Sequence, residues 1–326
     1  MKAIVWTKYG SPDVLQLKEV AKPTPRDNEV LIKVHAATVT AGDCELRSLK
    51  LPVLLQLPLR IYFGLRKPKR VTILGQELAG EVEAVGKAVT KLTPGDQVFA
   101  PTFLQLGAYA EYKCLPETYP VVKPAAMTYE EATTIPLGGV NGLHFMRIAD
   151  VQAGQRVLIN GAGGSIGTYA VQIAKSFGAE VTAVDNGEKL AMLRSIGADH
   201  VVDYTQEDFT RRTETYDVII DVVCRRPFSE GLRALKPSGR YVLGNPGLSM
   251  RRRRTSKIGD KTVIIAVPTY RSEYYTVLKD LIEAGKIKPV IDRRYPLERT
   301  AEAHRYVDEG HKKGNVVITV EHASQD

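Results

Sequence analysis

Residues 157–185 are VLINGAGGSIGTYAVQIAKSFGAEVTAVD, and this stretch decides the fold. The apolar run VLIN predicts a buried strand, and the glycines that follow it predict a tight turn. The next segment, TYAVQIAKSFG, has its apolar residues on one face of a helix, which Gly178 ends. A second strand then closes at Asp185, so the stretch predicts a strand–turn–helix–strand unit.

The glycines of this turn predict a dinucleotide-binding site. Backbone N–H groups must approach a pyrophosphate closely, and a helix N-terminus adds partial positive charge beneath it. A tight turn alone does not need so many glycines, because each carries an entropic cost on folding. An acidic residue 18 positions after Gly167, at the end of the second strand, completes the pattern. The candidate cofactor-binding residues of the turn are Gly161, Gly163, Gly164, Ser165, Ile166 and Gly167.

The choice between NADH and NADPH stays open at this point. Asp185 favours NADH, because a carboxylate accepts hydrogen bonds from the ribose hydroxyls and repels a 2′-phosphate. Lys189 and Tyr204 favour NADPH, because a cation and a phenol near that ribose hold a phosphate. Gly244, which ends the strand-like run RYVLG, is a further candidate cofactor contact.

Beyond this stretch, the pattern of strand-like and helix-like segments divides the chain into two domains. Strand-like runs dense in Val and Ile alternate with helix-like stretches, which predicts a Rossmann-type doubly wound parallel sheet over residues 126–267. Residues 1–125 contain short β-type runs between Gly, Pro and Asp turns, which predicts a β-rich, barrel-like domain. We assign residues 268–326, including a helix from Ser272 to Gly285, back to the β-rich domain, which makes it discontinuous.

Composition agrees with a folded α/β protein of 326 residues, with 44% hydrophobic and 25% charged residues. The N-terminus has no signal-peptide pattern, so the cytoplasm is the default location. Three widely spaced cysteines predict free thiols, and neither they nor the six histidines form a metal-binding pattern.

The net charge of +8 is concentrated in two basic stretches. Arg251–Arg254 is expected to be a solvated loop, although such a run also suits nucleic acid, anionic lipid or a polyphosphate cofactor. The apolar segment Leu51–Leu65 and the KPKR at 67–70 allow two interpretations. They form a lid or packed helix, which we favour, or a basic-flanked patch that rests on a membrane surface.

Several separated motifs resemble the medium-chain dehydrogenase/reductase superfamily, in its zinc-independent quinone oxidoreductase-like branch. They are GQELAG at 75–80, Gly86, PGDQV at 94–98, the glycine-rich turn, and Gln172 and Lys175 on its helix. The resemblance runs over nearly the whole chain. It implies a GroES-like substrate domain, a Rossmann domain that binds NADPH or NADH, a homodimer, and a small electrophilic substrate such as a quinone, enone or enal.

The resemblance also shows where this sequence departs from zinc-dependent relatives. The positions that match their catalytic zinc ligands are Thr40, Gln76 and about Gly138, and none is a good zinc ligand. The four-cysteine lobe that holds their structural zinc is missing too. Without a Lewis acid, hydride addition to a conjugated acceptor is easier than oxidation of a simple alcohol, because the negative charge spreads over the enone or quinone.

By resemblance, Thr40 lies beside the nicotinamide ribose, and Asn141 is another cofactor contact. Some quinone-reducing relatives have Tyr where this chain has Glu45, so Thr40 and Glu45 are only candidates for catalysis. A buried Glu45 with a raised pKa could relay a proton. The alternative, which we favour, is a surface salt bridge between Glu45 and Arg47 or another neighbour.

These observations predict an NAD(P)H-dependent oxidoreductase that transfers hydride to a quinone or to the C=C bond of an α,β-unsaturated carbonyl. The alternative is a noncatalytic NAD(P)-binding protein that associates with a membrane or RNA surface through its basic loops. We expect no nucleic-acid partner, no metal, and at most a peripheral membrane contact.

Overall fold

The computed structural model describes residues 1–50, 53–213, 215–225, 227–244, 255–266 and 271–322. The chain divides into unit 1, residues 1–136 and 291–326, and unit 2, residues 137–290. The arginine run Arg251–Arg254 lies outside the described residues. In the part of the chain that is described, no helix is long and apolar enough to cross a membrane.

Strands and helices are numbered in chain order. The strands are β1 (Lys2–Trp6), β2 (Leu15–Glu19), β3 (Glu29–Val39), β4 (Glu77–Val85), β5 (Gln97–Pro101), β6 (Tyr112–Pro116), β7 (Val121–Val122), β8 (Arg156–Asn160), β9 (Glu180–Asp185), β10 (His200–Asp203), β11 (Tyr216–Asp221), β12 (Leu235–Leu243), β13 (Thr255–Ile258), β14 (Lys261–Ile265), β15 (Ile291–Pro296) and β16 (Asn315–Thr319). The helices are α1 (Ala41–Ser48), α2 (Val53–Phe63), α3 (Tyr129–Ala132), α4 (Val140–Ile148), α5 (Ser165–Ser176), α6 (Leu190–Ser195), α7 (Phe228–Gly231), α8 (Ser272–Glu283) and α9 (Thr300–Asp308).

Unit 1 is organised around β3, the long strand that leads into α1. Its main sheet has the order β15-β16-β3-β4-β5-β7, with β6 also paired to β3 and with β1 and β2 forming a separate hairpin. β3 pairs antiparallel with β4, β6 and β16, so the C-terminal strand closes onto the N-terminal part of the chain. Because most side chains of β3 are buried, both of its faces contribute to the core, which includes Trp6, Leu78 and Tyr109.

Unit 2 is a doubly wound sheet with the order β10-β9-β8-β11-β12-β14-β13. Its neighbours pair in parallel, except that β13 is antiparallel to β14. The order reverses between β8 and β11, and ligands of such sheets bind beyond the carboxyl ends of the strands at this point. The prediction of a Rossmann-type parallel-sheet domain together with a β-rich domain is confirmed.

Three features of the fold differ from the sequence interpretation. β13 adds an antiparallel edge to the otherwise parallel sheet. Residues 287–297, IKPVIDRRYPL, for which no strand was predicted, contain β15, and the helix α9, also not predicted, follows them.

The third difference concerns residues 271–290, which the sequence division gave to the β-rich domain and which group with unit 2. The helix α8 buries Tyr274 and Leu278. The Tyr274 hydroxyl lies 3.2 Å from Nδ1 of His144 in α4. The Gln172 side chain binds the backbone N–H and C=O of Lys288 at 2.8 and 2.9 Å. Side-chain contacts of this kind leave no local pattern in the sequence.

Candidate functional site

The turn between β8 and α5 has a backbone shape that requires glycine at two positions. Gly161 has φ +83°, and a Cβ there would lie 2.3 Å from Cγ2 of Val223. A Cβ on Gly167 would lie 2.2 Å from the carbonyl oxygen of Gly161, so the first turn of α5 packs directly on the loop backbone. Both positions therefore exclude a side chain for reasons internal to unit 2.

Gly164 is different, because space is open in front of it. It is the N-cap of α5 with an extended backbone, φ −90° and ψ −178°, and no side chain caps this helix. A Cβ at Gly164 would meet only the carbonyl oxygen of Gly161, at an ordinary distance of 3.7 Å. The helix N-terminus thus faces a space that an anionic group can fill, and the site fits the pyrophosphate of a dinucleotide.

A buried ion pair lies beside this turn. Asp185 and Lys189 are each 6% exposed, and Nζ of Lys189 is 3.0 Å from Oδ1 of Asp185. The other carboxylate oxygen accepts the Gly163 N–H at 2.7 Å, and Oδ1 also accepts the Asn186 N–H at 2.9 Å. The structure therefore joins three of the predicted residues, Gly163, Asp185 and Lys189, in one network. The charges expected to act in opposite directions on the cofactor largely neutralise each other here.

The remaining cofactor candidates of unit 2 lie in different surroundings. Tyr204 follows β10, donates its backbone N–H to the Asp185 carbonyl at 3.2 Å, and exposes half of its surface. Asn141 is 4% exposed in α4, and its amide donates to the Leu137 carbonyl at 2.7 Å. A Cβ at Gly244 would lie 2.8 Å from the Phe145 ring, so packing alone accounts for that glycine.

Thr40 in unit 1 forms a capping box with Asp43 at the start of α1. Its hydroxyl donates to Oδ2 of Asp43 at 2.7 Å and accepts the Asp43 N–H at 3.1 Å and the Gln76 amide at 3.0 Å. A hydroxyl has one proton and two lone pairs, and all three are used. The sequence interpretation made Thr40 a candidate catalytic and cofactor-binding residue. In this structure its hydroxyl serves to fix α1.

The sequence interpretation did not single out Asp43, which is fully buried. Burial raises the pKa of Asp43 to about 6, while the hydrogen bonds from Thr40 act in the opposite direction. A Thr followed three residues later by an acid is the spacing of a capping box, so the sequence held a signal for this pair. A second buried carboxylate, Glu77, accepts the Thr38 hydroxyl in the same unit.

The expected salt bridge between Glu45 and Arg47 is wrong. Arg47 is 2% exposed, and its guanidinium donates to Asp308 at 2.6 Å and to the Gly10 carbonyl at 3.1 Å. Glu45 is half-buried, has no ion pair to any described residue, and burial raises its pKa. Arg47 turns inward because α1 packs on α9, which carries Asp308.

Comparison with known proteins identifies the family. Residues 26–125 match the alcohol dehydrogenase GroES-like domain, residues 125–224 the alanine dehydrogenase/PNT C-terminal domain, and residues 196–318 the family described as zinc-binding dehydrogenase. The chain is 31% identical over 333 residues to the NADPH-dependent alkenal/one oxidoreductase, chloroplastic, of Arabidopsis thaliana, covering 98% of this chain and 79% of that protein. The chain belongs to the medium-chain dehydrogenase/reductase superfamily.

Within this superfamily, the chain falls in the quinone oxidoreductase and alkenal reductase branch. It is 28% identical to the quinone oxidoreductase of Homo sapiens, covering 95% of this chain and 94% of that protein. The solved structure of the quinone oxidoreductase from Coxiella burnetii matches with a TM-score of 0.85 and 28% identity, covering 98% of this chain and 99% of that one. The resemblance seen in the sequence is therefore confirmed, and the chain is an oxidoreductase.

The name of the third family model raises the question of zinc in this dehydrogenase/reductase. Of the residues that the resemblance predicts at the zinc-ligand positions, Thr40 and Gln76 are hydrogen-bonded to each other, and the third, at about Gly138, has no side chain. A threonine hydroxyl, an amide and a glycine do not provide the Cys, His and carboxylate ligands that zinc requires. Among the described residues, no group of three or more His, Cys, Asp or Glu is placed to hold a metal ion. The residues at these positions do not fit a catalytic zinc.

Proposed function

We propose that this protein reduces a quinone, or the C=C bond of an α,β-unsaturated carbonyl compound, with NADPH or NADH and without zinc. The observation that carries the proposal is the open N-terminus of α5 at Gly164, next to the Asp185–Lys189 pair. The names of the relatives support it: one is an NADPH-dependent alkenal/one oxidoreductase and another a quinone oxidoreductase.

Each part of the candidate cofactor site has a distinct role in this proposal. The backbone amides at the start of α5 bind the pyrophosphate, and the helix dipole stabilises its charge. Asp185, Lys189 and Tyr204 contact the adenine ribose, where a 2′-phosphate would need the lysine. When bound, the reduced nicotinamide supplies the hydride.

In alcohol oxidation, zinc stabilises the negative charge on the substrate oxygen. In a quinone or enone, delocalisation stabilises that charge instead. The charge that develops on a quinone or enone oxygen needs only hydrogen-bond donors. Thr40 cannot provide one while its proton is held by Asp43. Glu45 is the better candidate to move a proton in unit 1, because it is half-buried, carries a raised pKa and has no ion pair to a described residue.

The proposal is tested by assaying each reduced cofactor with an enal, an enone and a quinone, before and after exhaustive chelation. We expect turnover that survives chelation, no stoichiometric zinc in metal analysis, and no oxidation of a simple alcohol. One tightly held zinc per chain, or loss of activity on chelation, contradicts the zinc-independent mechanism. Cofactor binding without turnover of any acceptor would favour the noncatalytic alternative.

We further propose that the buried Asp185–Lys189 pair sets the cofactor preference. Asp185→Ser removes the charge that repels a 2′-phosphate and frees Lys189, so the ratio of kcat/KM values should shift toward NADPH about tenfold, or about 1.4 kcal/mol. Lys189→Ala leaves Asp185 unpaired and should shift the ratio toward NADH. Steady-state kinetics with both cofactors measure both shifts.

A second lysine–aspartate pair of unit 2 provides the control for this prediction. Asp199 pairs with Lys175 at 2.8 Å, and about a third of each side chain is exposed. Asp199→Ser makes the same chemical change away from the turn, so the cofactor ratio should stay unchanged. If neither Asp185→Ser nor Lys189→Ala alters the ratio, the end of β9 does not contact the adenine ribose.

A further inference from the structure

α2 and the short segment that follows it expose three large aliphatic side chains. Leu57, Ile61 and Leu65 are 61%, 68% and 63% exposed, in a protein whose other large apolar residues are mostly buried. Leu57 and Ile61 are one helical turn apart on α2, and Leu65 lies two residues beyond the end of the helix, after Gly64, whose φ is +139°. We call these three residues the apolar strip. Scattered single exposed leucines need no explanation, but three exposed aliphatic side chains within one short segment do.

A cluster of cations follows the apolar strip directly. Residues 46–76 contain seven Lys and Arg and no Asp or Glu. Four of these cations lie next to the strip in the chain and are exposed, and we call them the basic cluster: Arg66, Lys67, Lys69 and Arg70. None of the four forms an ion pair with another residue that the structure describes.

The inner side of α2 is anchored on the core of unit 1. Phe63 is fully buried, and its ring meets that of Trp6 edge to face at 5.8 Å. The Tyr9 hydroxyl donates to the Gly64 carbonyl at 2.6 Å, and the Arg60 guanidinium lies over the Tyr9 ring at 4.8 Å. These contacts hold the end of the helix in place, so the apolar strip is a fixed feature of the surface of unit 1.

We propose that the apolar strip and the basic cluster form a docking surface for a bilayer that contains anionic lipids. α2 has 11 residues, whereas a spanning helix needs about 20. The helix would therefore lie along the interface, with the strip among the upper acyl groups and the cluster against the lipid phosphates.

Other occupants fit these observations less well. A second copy of the chain would bring an identical set of four cations, none with an ion pair among the described residues, close to the first, and like charges across an interface are unfavourable. Nucleic acid would satisfy the cations, but it offers nothing to an exposed aliphatic strip, since single strands stack on aromatic side chains. An anionic bilayer satisfies both features at once.

Cosedimentation of the full chain with vesicles tests the proposal. Phosphatidylcholine vesicles with about 30% phosphatidylglycerol should bind the protein, and phosphatidylcholine alone should bind it at least about tenfold more weakly. Raising the salt from about 0.1 M to about 0.5 M should weaken the binding, because the charge contribution is screened.

Two pairs of variants separate the apolar and the charged contributions. Leu57→Gln with Ile61→Gln, and Lys67→Glu with Lys69→Glu, should each lower vesicle affinity about tenfold or more. The matched controls lie elsewhere in unit 1: Leu104→Gln, at a leucine that is 58% exposed, and Lys87→Glu with Lys91→Glu. The controls should bind like the unchanged protein, and circular dichroism confirms that every variant is folded.

Three outcomes overturn the proposal. One is no preference for anionic vesicles, and another is an equal loss of binding in the control variants. The third is a change of oligomeric state in the Leu57→Gln, Ile61→Gln variant by sedimentation velocity, which would identify a second copy as the occupant of the strip.

Discussion

Replacing Gly164 by valine is expected to weaken the binding of both NADH and NADPH about 100-fold while the protein stays folded. Losing one or two charge-assisted hydrogen bonds to the pyrophosphate accounts for a change of this size, about 2.7 kcal/mol. The backbone at Gly164 has an ordinary extended conformation, and the first atom of a side chain would meet the protein only at 3.7 Å. A Cβ therefore fits the free protein at this position, and we expect the valine side chain to occupy the space in front of the N-terminus of α5.

Gly167→Ala provides the contrast that makes this result interpretable. Its Cβ would lie 2.2 Å from the Gly161 carbonyl oxygen and 2.5 Å from that of Ala162, so α5 would have to move away from the loop. We expect this smaller substitution to lower thermal stability markedly, whereas Gly164→Val leaves the melting temperature almost unchanged. Fluorescence titration with each cofactor and thermal denaturation measure the two effects. Normal cofactor affinity in a folded Gly164→Val protein would show that the pyrophosphate binds elsewhere.

The sequence predicted unit 2 well because its signals are local. The strand of β8, the glycine turn, the apolar face of α5 and the end of β9 at Asp185 all appear within 29 consecutive residues. Buried parallel strands also have a distinctive composition, so the remaining strands could be recognised one by one. The antiparallel edge strand β13 was missed because it is four residues long and three of the four are polar.

The helices α1 and α9 were not predicted, because they bury polar side chains. α1 contains a glycine and turns Asp43, Cys44 and Arg47 inward, so it shows no apolar stripe. α9 buries His304 completely, and a histidine is not counted as a core residue in a periodicity argument. Cys44 and Arg47 of α1 contact His304 of α9, at 3.3 and 3.2 Å, and such pairing across the chain cannot be derived from either segment alone.

The candidate site, too, could be predicted only in part, because contacts between its side chains are not visible in the sequence. The residues around the turn could be selected from the sequence, but the sequence interpretation treated Asp185 and Lys189 as independent charges. A short helical turn at Gly187–Lys189 brings them into contact, and that contact changes what each can offer to a ligand. The position of Thr40 was implied by resemblance, whereas its three hydrogen bonds required the structure.

Arg47→Met is expected to lower the free energy of unfolding by about 3 kcal/mol, because it removes the guanidinium that donates three hydrogen bonds at a buried position. The guanidinium contacts Asp308 at 2.6 Å, the Gly10 carbonyl at 3.1 Å and Nδ1 of His304 at 3.2 Å. Burial and the nearby Arg47 lower the pKa of His304 to about 3, so the imidazole is neutral and accepts from the guanidinium. Methionine keeps the length of the aliphatic part of arginine. The loss of stability therefore reports on the hydrogen bonds rather than on a cavity.

The control for this prediction lies on the same helix as two of these partners. Arg305 in α9 pairs with Asp13, but the two side chains are 48% and 69% exposed, and exposed pairs contribute little to stability. Urea denaturation followed by circular dichroism should therefore show a large decrease in midpoint for Arg47→Met and almost none for Arg305→Met, with equal slopes for both. Equal midpoints for the two variants would mean that Asp308 and His304 find other partners. The junction of α1 and α9 would then depend on its apolar contacts, with Arg47 contributing little.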